Sequence, residues 1–277
     1  MTCALRCARR NRDTVSMNLN YIVAGALVGA LVGLTGVGGG SLMTPLLVFL
    51  FGFSPSVAVG TDLLFAALTK SVGVIVHHNS HRSVNWKVAS RLSFGSLPAA
   101  IISIVILKRY ETMGADLKRT ITLVLGVALI LTAWAILIKP RAREVELKLP
   151  RSTARFLGRW RRLATIIVGS ILGFLVTFSS VGAGALGTVS LLLLYPALPA
   201  VKVVGTDLAY AIPLATVAGL GHWYLGNIDW LLLLTLLIGS VPGIWVGSHI
   251  SAKIPERILR PVLASIMALV AIKCLWW

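Results

Sequence analysis

Apolar residues in this chain fall in long runs separated by short polar breaks. Ten runs can be marked, at 19–36, 41–53, 57–77, 88–107, 119–138, 163–178, 184–196, 200–221, 230–250 and 258–275. Eight are near the length that a helix needs to cross a hydrocarbon core of about 30 Å. The second and seventh reach only about 18 Å as helix, so half-helices or re-entrant arms are expected there. The pattern predicts an all-α, polytopic membrane protein of eight to ten apolar segments.

One long polar stretch interrupts the runs. Residues 139–162 read KPRAREVELKLPRSTARFLGRWRR, with nine basic residues against two acidic. Such a stretch is expected as a cytoplasmic linker. It leaves a basic N-terminal extension at 1–18, a first membrane repeat at 19–138 and a second at 163–277.

The two halves share motifs in order. Gly36-Val37-Gly38-Gly39-Gly40-Ser41-Leu42 answers Ser180-Val181-Gly182-Ala183-Gly184-Ala185-Leu186. Val59-Gly60-Thr61-Asp62-Leu63 answers Val204-Gly205-Thr206-Asp207-Leu208. His78 answers His222, Val84-Asn85-Trp86 answers Ile228-Asp229-Trp230, and Gly95-Ser96-Leu97-Pro98 answers Gly239-Ser240-Val241-Pro242. The offset is 144 residues, or 145 at the Gly-Thr-Asp motif. Internal duplication of this kind is the mark of many secondary transporters.

Five segments per half is an odd number, which inverts the second copy. With the linker inside, inversion places Arg82, Lys87 and Arg91 inside with Lys253, Arg257 and Arg260, and leaves 222–229, which has no Lys or Arg, outside. All three agree with the positive-inside rule. The basic N-terminus then falls outside unless translation starts at Met17. The alternative merges each short segment with its neighbour, giving eight spans, parallel repeats and a cytoplasmic N-terminus. Inversion is the expectation.

Composition sharpens the class. Hydrophobic residues are 57% of the chain, charged residues 13%, and mean hydropathy is +0.88. A soluble domain needs more charge to cover its surface, and a disordered chain far more. The net charge of +17 lies between apolar runs and not along a helical face, so it reads as cytoplasmic anchoring and not as nucleic-acid binding. Cys3, Cys7 and Cys274 have no metal-site spacing, so no metal or cofactor is expected. Trp276 and Trp277 fit an interfacial anchor.

The candidate chemistry lies inside the runs. Gly36, Gly38, Gly39 and Gly40 let the chain leave helical geometry before the second segment, and Gly182 and Gly184 do so before the seventh. Freed N–H groups at the helix starts would form anion sites; the alternative is close helix packing. Asp62 and Asp207, preceded by Thr61 and Thr206, sit near the starts of long apolar segments, and these four with Lys70 and the glycine breaks are expected to line a substrate path between the halves. Carboxylates there face a bundle interior or act as helix N-caps. Lys70 lies about 12 Å along the helix from Asp62 on nearly the same face. It would counter an anion, unless it snorkels to an interface. The second half has only Leu214 or Ala215 at the matching place. His78 and His222 are candidates for a proton relay.

These motifs resemble the sulfite exporter TauE/SafE family, also called the toluene-sulfonate uptake permease family. The resemblance rests on Gly36–Gly40, Val59-Gly60-Thr61-Asp62-Leu63, Gly221-His222, Gly226-Asn227-Ile228-Asp229-Trp230 and Gly239-Ser240 before Pro242, and covers about residues 20–275. It implies a multi-pass permease of the bacterial inner membrane that carries a small anion, such as sulfite or an organosulfonate, by proton coupling and in the export direction. The family more often has Gly-Thr-Ser where this chain has Gly-Thr-Asp twice, and Lys70 is a further departure. The expected partners are the small anion, the lipid bilayer and protons. An ion channel is the alternative reading. An intramembrane enzyme would need a nucleophile–base pair or metal set that the runs do not supply.

Overall fold

A computed structural model describes residues 19–35, 40–81, 84–112, 117–148, 151–195, 198–251 and 256–276. Ten helices run through them: α1 (Leu19–Thr35), α2 (Gly40–Phe49), α3 (Pro55–His81), α4 (Trp86–Thr112), α5 (Leu117–Lys148), α6 (Arg151–Ser179), α7 (Ala185–Leu194), α8 (Ala200–Tyr224), α9 (Trp230–Ser251) and α10 (Glu256–Leu275). The fold is all-helical, as the apolar runs predict. Five helices are long and apolar enough to cross a membrane among the described residues: α4, α5, α6, α8 and α9. The second and seventh runs become α2 and α7, ten residues each.

The 139–162 stretch is more helical than a linker reading suggests. α5 continues to Lys148 and α6 begins at Arg151. Apolar runs end at the first charges, but Arg, Lys, Glu, Leu and Ala are good helix formers and carry the helices onward.

Glycines set the closest helix pairs. A Cβ on Gly25 or Gly29 of α1 would overlap the backbone of Leu236 or Ser240 on α9. On α9, Gly239, Gly243 and Gly247 press in turn on Ile22, Ala26 and Ala30. Contacts that climb both sequences together mean that α1 and α9 run parallel. The same happens between α4 and α6, where Gly169 meets Leu92, Gly173 meets Ser96, and Gly95 meets Ile166. Each of these contacts maps onto one of the α1–α9 set under a shift of 144 residues. Lipid tails offer no hydrophobic drive for helix association, so such backbone contact is what holds membrane helices together.

Helices α3 and α8 pack at the centre and run antiparallel. Thr61, near the start of α3, meets Asp229, just past the end of α8. Asn85, just past the end of α3, meets Thr206, near the start of α8.

Candidate functional site

The interior around α3 and α8 contains the polar residues of interest. Asp62 is 0% exposed, Asp207 3% and Lys70 6%. Neither aspartate caps its helix. α3 starts at Pro55 and α8 at Ala200, so both carboxylates lie beyond the first turn. The N-cap alternative therefore fails, and the interior placement that membrane cost favours is what the fold adopts.

Each aspartate is met by a threonine from a short helix. Thr44 of α2 donates its hydroxyl to Asp62 Oδ2 at 2.5 Å, and Thr188 of α7 shares its hydroxyl proton between the Gly184 carbonyl at 2.6 Å and Asp207 Oδ2 at 3.0 Å. Thr188 lies in the first turn of α7, so Asp207 also sits by a positive dipole end, whereas Thr44 lies midway along α2. The sequence reading passed over Thr44 and Thr188, although they too are 144 residues apart.

Thr61 and Thr206 serve a different purpose. Thr61 Oγ1 accepts the Asp229 N–H at 3.2 Å, and Thr206 Oγ1 accepts the Asn85 N–H at 2.9 Å. Asp229 and Asn85 in turn cap the starts of α9 and α4, accepting from Leu232 N at 2.9 Å and Val88 N at 3.4 Å. The two threonines thus tether the loop of the opposite half.

Lys70 does not snorkel. It is buried, and its Nζ donates to the Ala183 carbonyl at 2.7 Å. Ala183 lies in the break between α6 and α7. There Ser180 has φ +57° and Gly182 has φ +111°, a conformation that only glycine adopts without strain. Gly184 stands at the N-cap of α7, with no side chain capping that end. Lys70 is also within electrostatic range of both Asp207 and Asp62. Ser180 Oγ and Asp62 Oδ1 are both buried without hydrogen-bond partners. The places matching Lys70 in the second half, Leu214 and Ala215, are buried and apolar.

His222 is buried and donates from Nε2 to the Thr177 carbonyl at 2.9 Å, so its ring proton is on Nε2. His78 is in α3, but its side chain lies outside the described residues, as do Gly36, Gly38 and Gly39; Gly40 opens α2. No cluster of His, Cys, Asp or Glu suited to a metal occurs among the described residues. A cavity of about 390 Å³ opens elsewhere, beside Lys118, Arg119 and Trp276, remote in sequence from the aspartates and chemically distinct from them.

The centre thus combines two hydroxyl-bonded carboxylates, one ammonium and the start of the short helix α7, closed to solvent. Such a set can attract a small anion and exchange a cation, and it can do both only if the closed interior opens.

Comparison with known proteins agrees with this assembly. Residues 21–274 match the family described as sulfite exporter TauE/SafE. The chain is 38% identical over 264 residues to the probable membrane transporter protein YjnA of Bacillus subtilis, covering 93% of this chain and 99% of the relative. It is 28% identical to the probable membrane transporter protein YdhB of the same organism, covering 86% of this chain and 91% of the relative. A probable membrane transporter protein of Methanocaldococcus jannaschii is also 28% identical, covering 91% of this chain and 92% of the relative. No solved structure matches the chain.

Proposed function

The chain belongs to the sulfite exporter TauE/SafE family, and from that premise we propose that it is a secondary transporter for a small sulfur oxyanion or organosulfonate, coupled to protons and working as an exporter. Transport across a membrane is the activity that the family and the named relatives share; the substrate, coupling and direction are our reading.

The observation that carries the reading is the placement of Lys70. A lysine at membrane depth is costly and needs a compensating partner or a function. Lys70 has a carbonyl at the break before α7 and two aspartates within electrostatic range. An anion entering this centre would find the ammonium, and N–H groups at the start of α7 beside it. Asp62 could hold a proton while the anion is bound and release it otherwise. Antiparallel packing of α3 and α8 supports inverted halves, the basic charge of 139–162 supports a cytoplasmic linker, and alternating access would rock one half against the other around this centre.

Purified protein in liposomes, challenged with a panel of labelled sulfur oxyanions and carboxylates, tests the proposal. Saturable flux of a sulfur oxyanion, stimulated by substrate on the far side and accelerated by a pH gradient, is the expected result. Flux that neither saturates nor responds to counter-substrate would assign a channel instead.

A further inference from the structure

The two threonine tethers close opposite ends of the centre. α4 and α6 climb together, with Leu92 against Gly169 and Ser96 against Gly173. α6 begins at the 139–162 stretch, so the entry of α4 at Asn85 lies at that same end. α3 and α8 are antiparallel, so the Thr61–Asp229 contact lies at the far end.

Each cover is one layer of chain with a surface side and a buried side. At the far end, Trp223, Tyr224, Gly226 and Trp230 are exposed. The inner side of the same turn rests on α3. A Cβ on Gly60 would lie 2.2 Å from the Asn227 carbonyl oxygen, and Thr61 Oγ1 takes the Asp229 N–H. Thr61 and Asp62 are buried beneath it. The turn is bonded to its own helix, Leu225 N to Gly221 O and Asn227 N to His222 O, with Gly226 at φ +75°, so it moves as one body. At the linker end, Trp86 and Lys87 are exposed, and Asn85 beside them is held by Thr206, next to buried Asp207. Each cover therefore comes from one half and is held by the residue next to a carboxylate of the other. The hold is weak. A neutral hydrogen bond nets about 0.5–1.5 kcal/mol, and entering water can take up both of its groups. The glycine contacts of α1 with α9 and of α4 with α6 run over several turns and offer no such release.

We propose that these two contacts are the gates of the pathway. The turn at 225–229 opens the far end onto Asp62, and the entry of α4 at Asn85 opens the linker end onto Asp207. Each aspartate is then reached from one side of the membrane only. Calling the contacts gates rests on the transport reading above; one-sided access to the aspartates does not.

Thiol labelling of the full-length protein in liposomes reads this access without any substrate. In a cysteine-free background, Ala66→Cys and Ala211→Cys serve as reporters, each small, buried and one helical turn inward of its aspartate. Tyr224→Cys, exposed at the far end, tells which face a charged, impermeant reagent has reached. Both reporters should react slowly in the parent. Thr61→Val removes the acceptor and should speed labelling of Ala66→Cys from the far side by about twofold to tenfold, while Ala211→Cys keeps its rate. Thr206→Val should speed Ala211→Cys from the linker side and leave Ala66→Cys unchanged. Thr61→Ser and Thr206→Ser keep the hydroxyl and should keep the parent rates. A merely loosened fold would speed both reporters from both sides, and that result overturns the proposal. So does an unchanged rate in both valine variants, or a rise from the wrong side. If Thr61→Val does not fold, Thr206→Val decides alone, by the same one-sided rise or its absence. One-sided labelling without flux of any anion would remove the transport reading and leave the two covers standing. Saturable flux with both reporters labelled alike from either side would keep transport and remove the gates.

Discussion

Lys70 and Ala183 are 113 residues apart in sequence and 2.7 Å apart in space. A charged side chain of the first half therefore closes onto the backbone break of the second. The closure is one-sided, because the second half offers only Leu214 or Ala215 in return. Replacing the lysine tests both its partner and the proposed anion. Lys70→Met should weaken substrate binding about tenfold or more, or about 1.4 kcal/mol, in equilibrium binding or in the half-saturation of flux. Unchanged affinity would mean that backbone N–H groups hold the anion alone.

Asp62→Asn addresses coupling. A carboxylate that exchanges a proton makes transport depend on pH, and an amide cannot exchange it. The remaining flux in this variant should lose its response to a pH gradient across the liposome. A variant that still follows the gradient would place the exchanging group elsewhere.

The glycine breaks make a steric demand. Ala183 is 5% exposed and next to the Lys70 contact, so Ala183→Leu should abolish flux while leaving the amount of folded protein nearly unchanged. Gly39→Leu should do the same from the first half. Full flux at normal expression in either variant would leave helix packing as the role of these residues.

Membrane orientation can be read directly. In a cysteine-free background, an impermeant thiol reagent added outside should label Asn227→Cys and not Ser251→Cys. The reverse result would turn the protein over and put the linker 139–162 outside.

Close backbone contact predicts matched losses of stability. Gly29→Ala would push a methyl into the Ser240 backbone, and Gly173→Ala would do so at Ser96. Each should destabilise the protein by about 1–3 kcal/mol in reversible unfolding. A neutral effect at both positions would show that the α1–α9 and α4–α6 pairs are looser than this packing implies.

The helices were largely legible in the sequence. Segment ends at 19, 200, 230 and 275 coincide with helix ends, because the runs are long and strongly apolar. α5 and α6 overran the estimate because charged residues stop an apolar run without stopping a helix. The candidate site was legible in part. Cost at membrane depth pointed to Asp62, Asp207 and Lys70, and all three are buried together. Their partners were not visible. The Ala183 carbonyl is a backbone group common to every residue, and nothing in a sequence marks which one a distant lysine will find. Thr44 and Thr188 resemble any threonine in an apolar helix until α2 and α7 are docked. Nor does a sequence show that the Thr61 and Thr206 hydroxyls meet loops across the centre.

The glycine pairs also bear on the order of synthesis. α1 packs on α9 and α4 on α6, so each half lends a helix to the other. α1 enters the bilayer long before α9 has been made, with its glycine face against lipid and no partner of its own half to cover it. Assembly of the first half must stay provisional until the ninth helix arrives. A ribosome stalled between α8 and α9 should therefore expose a chain that is inserted but unlocked, and open to membrane proteases along α1.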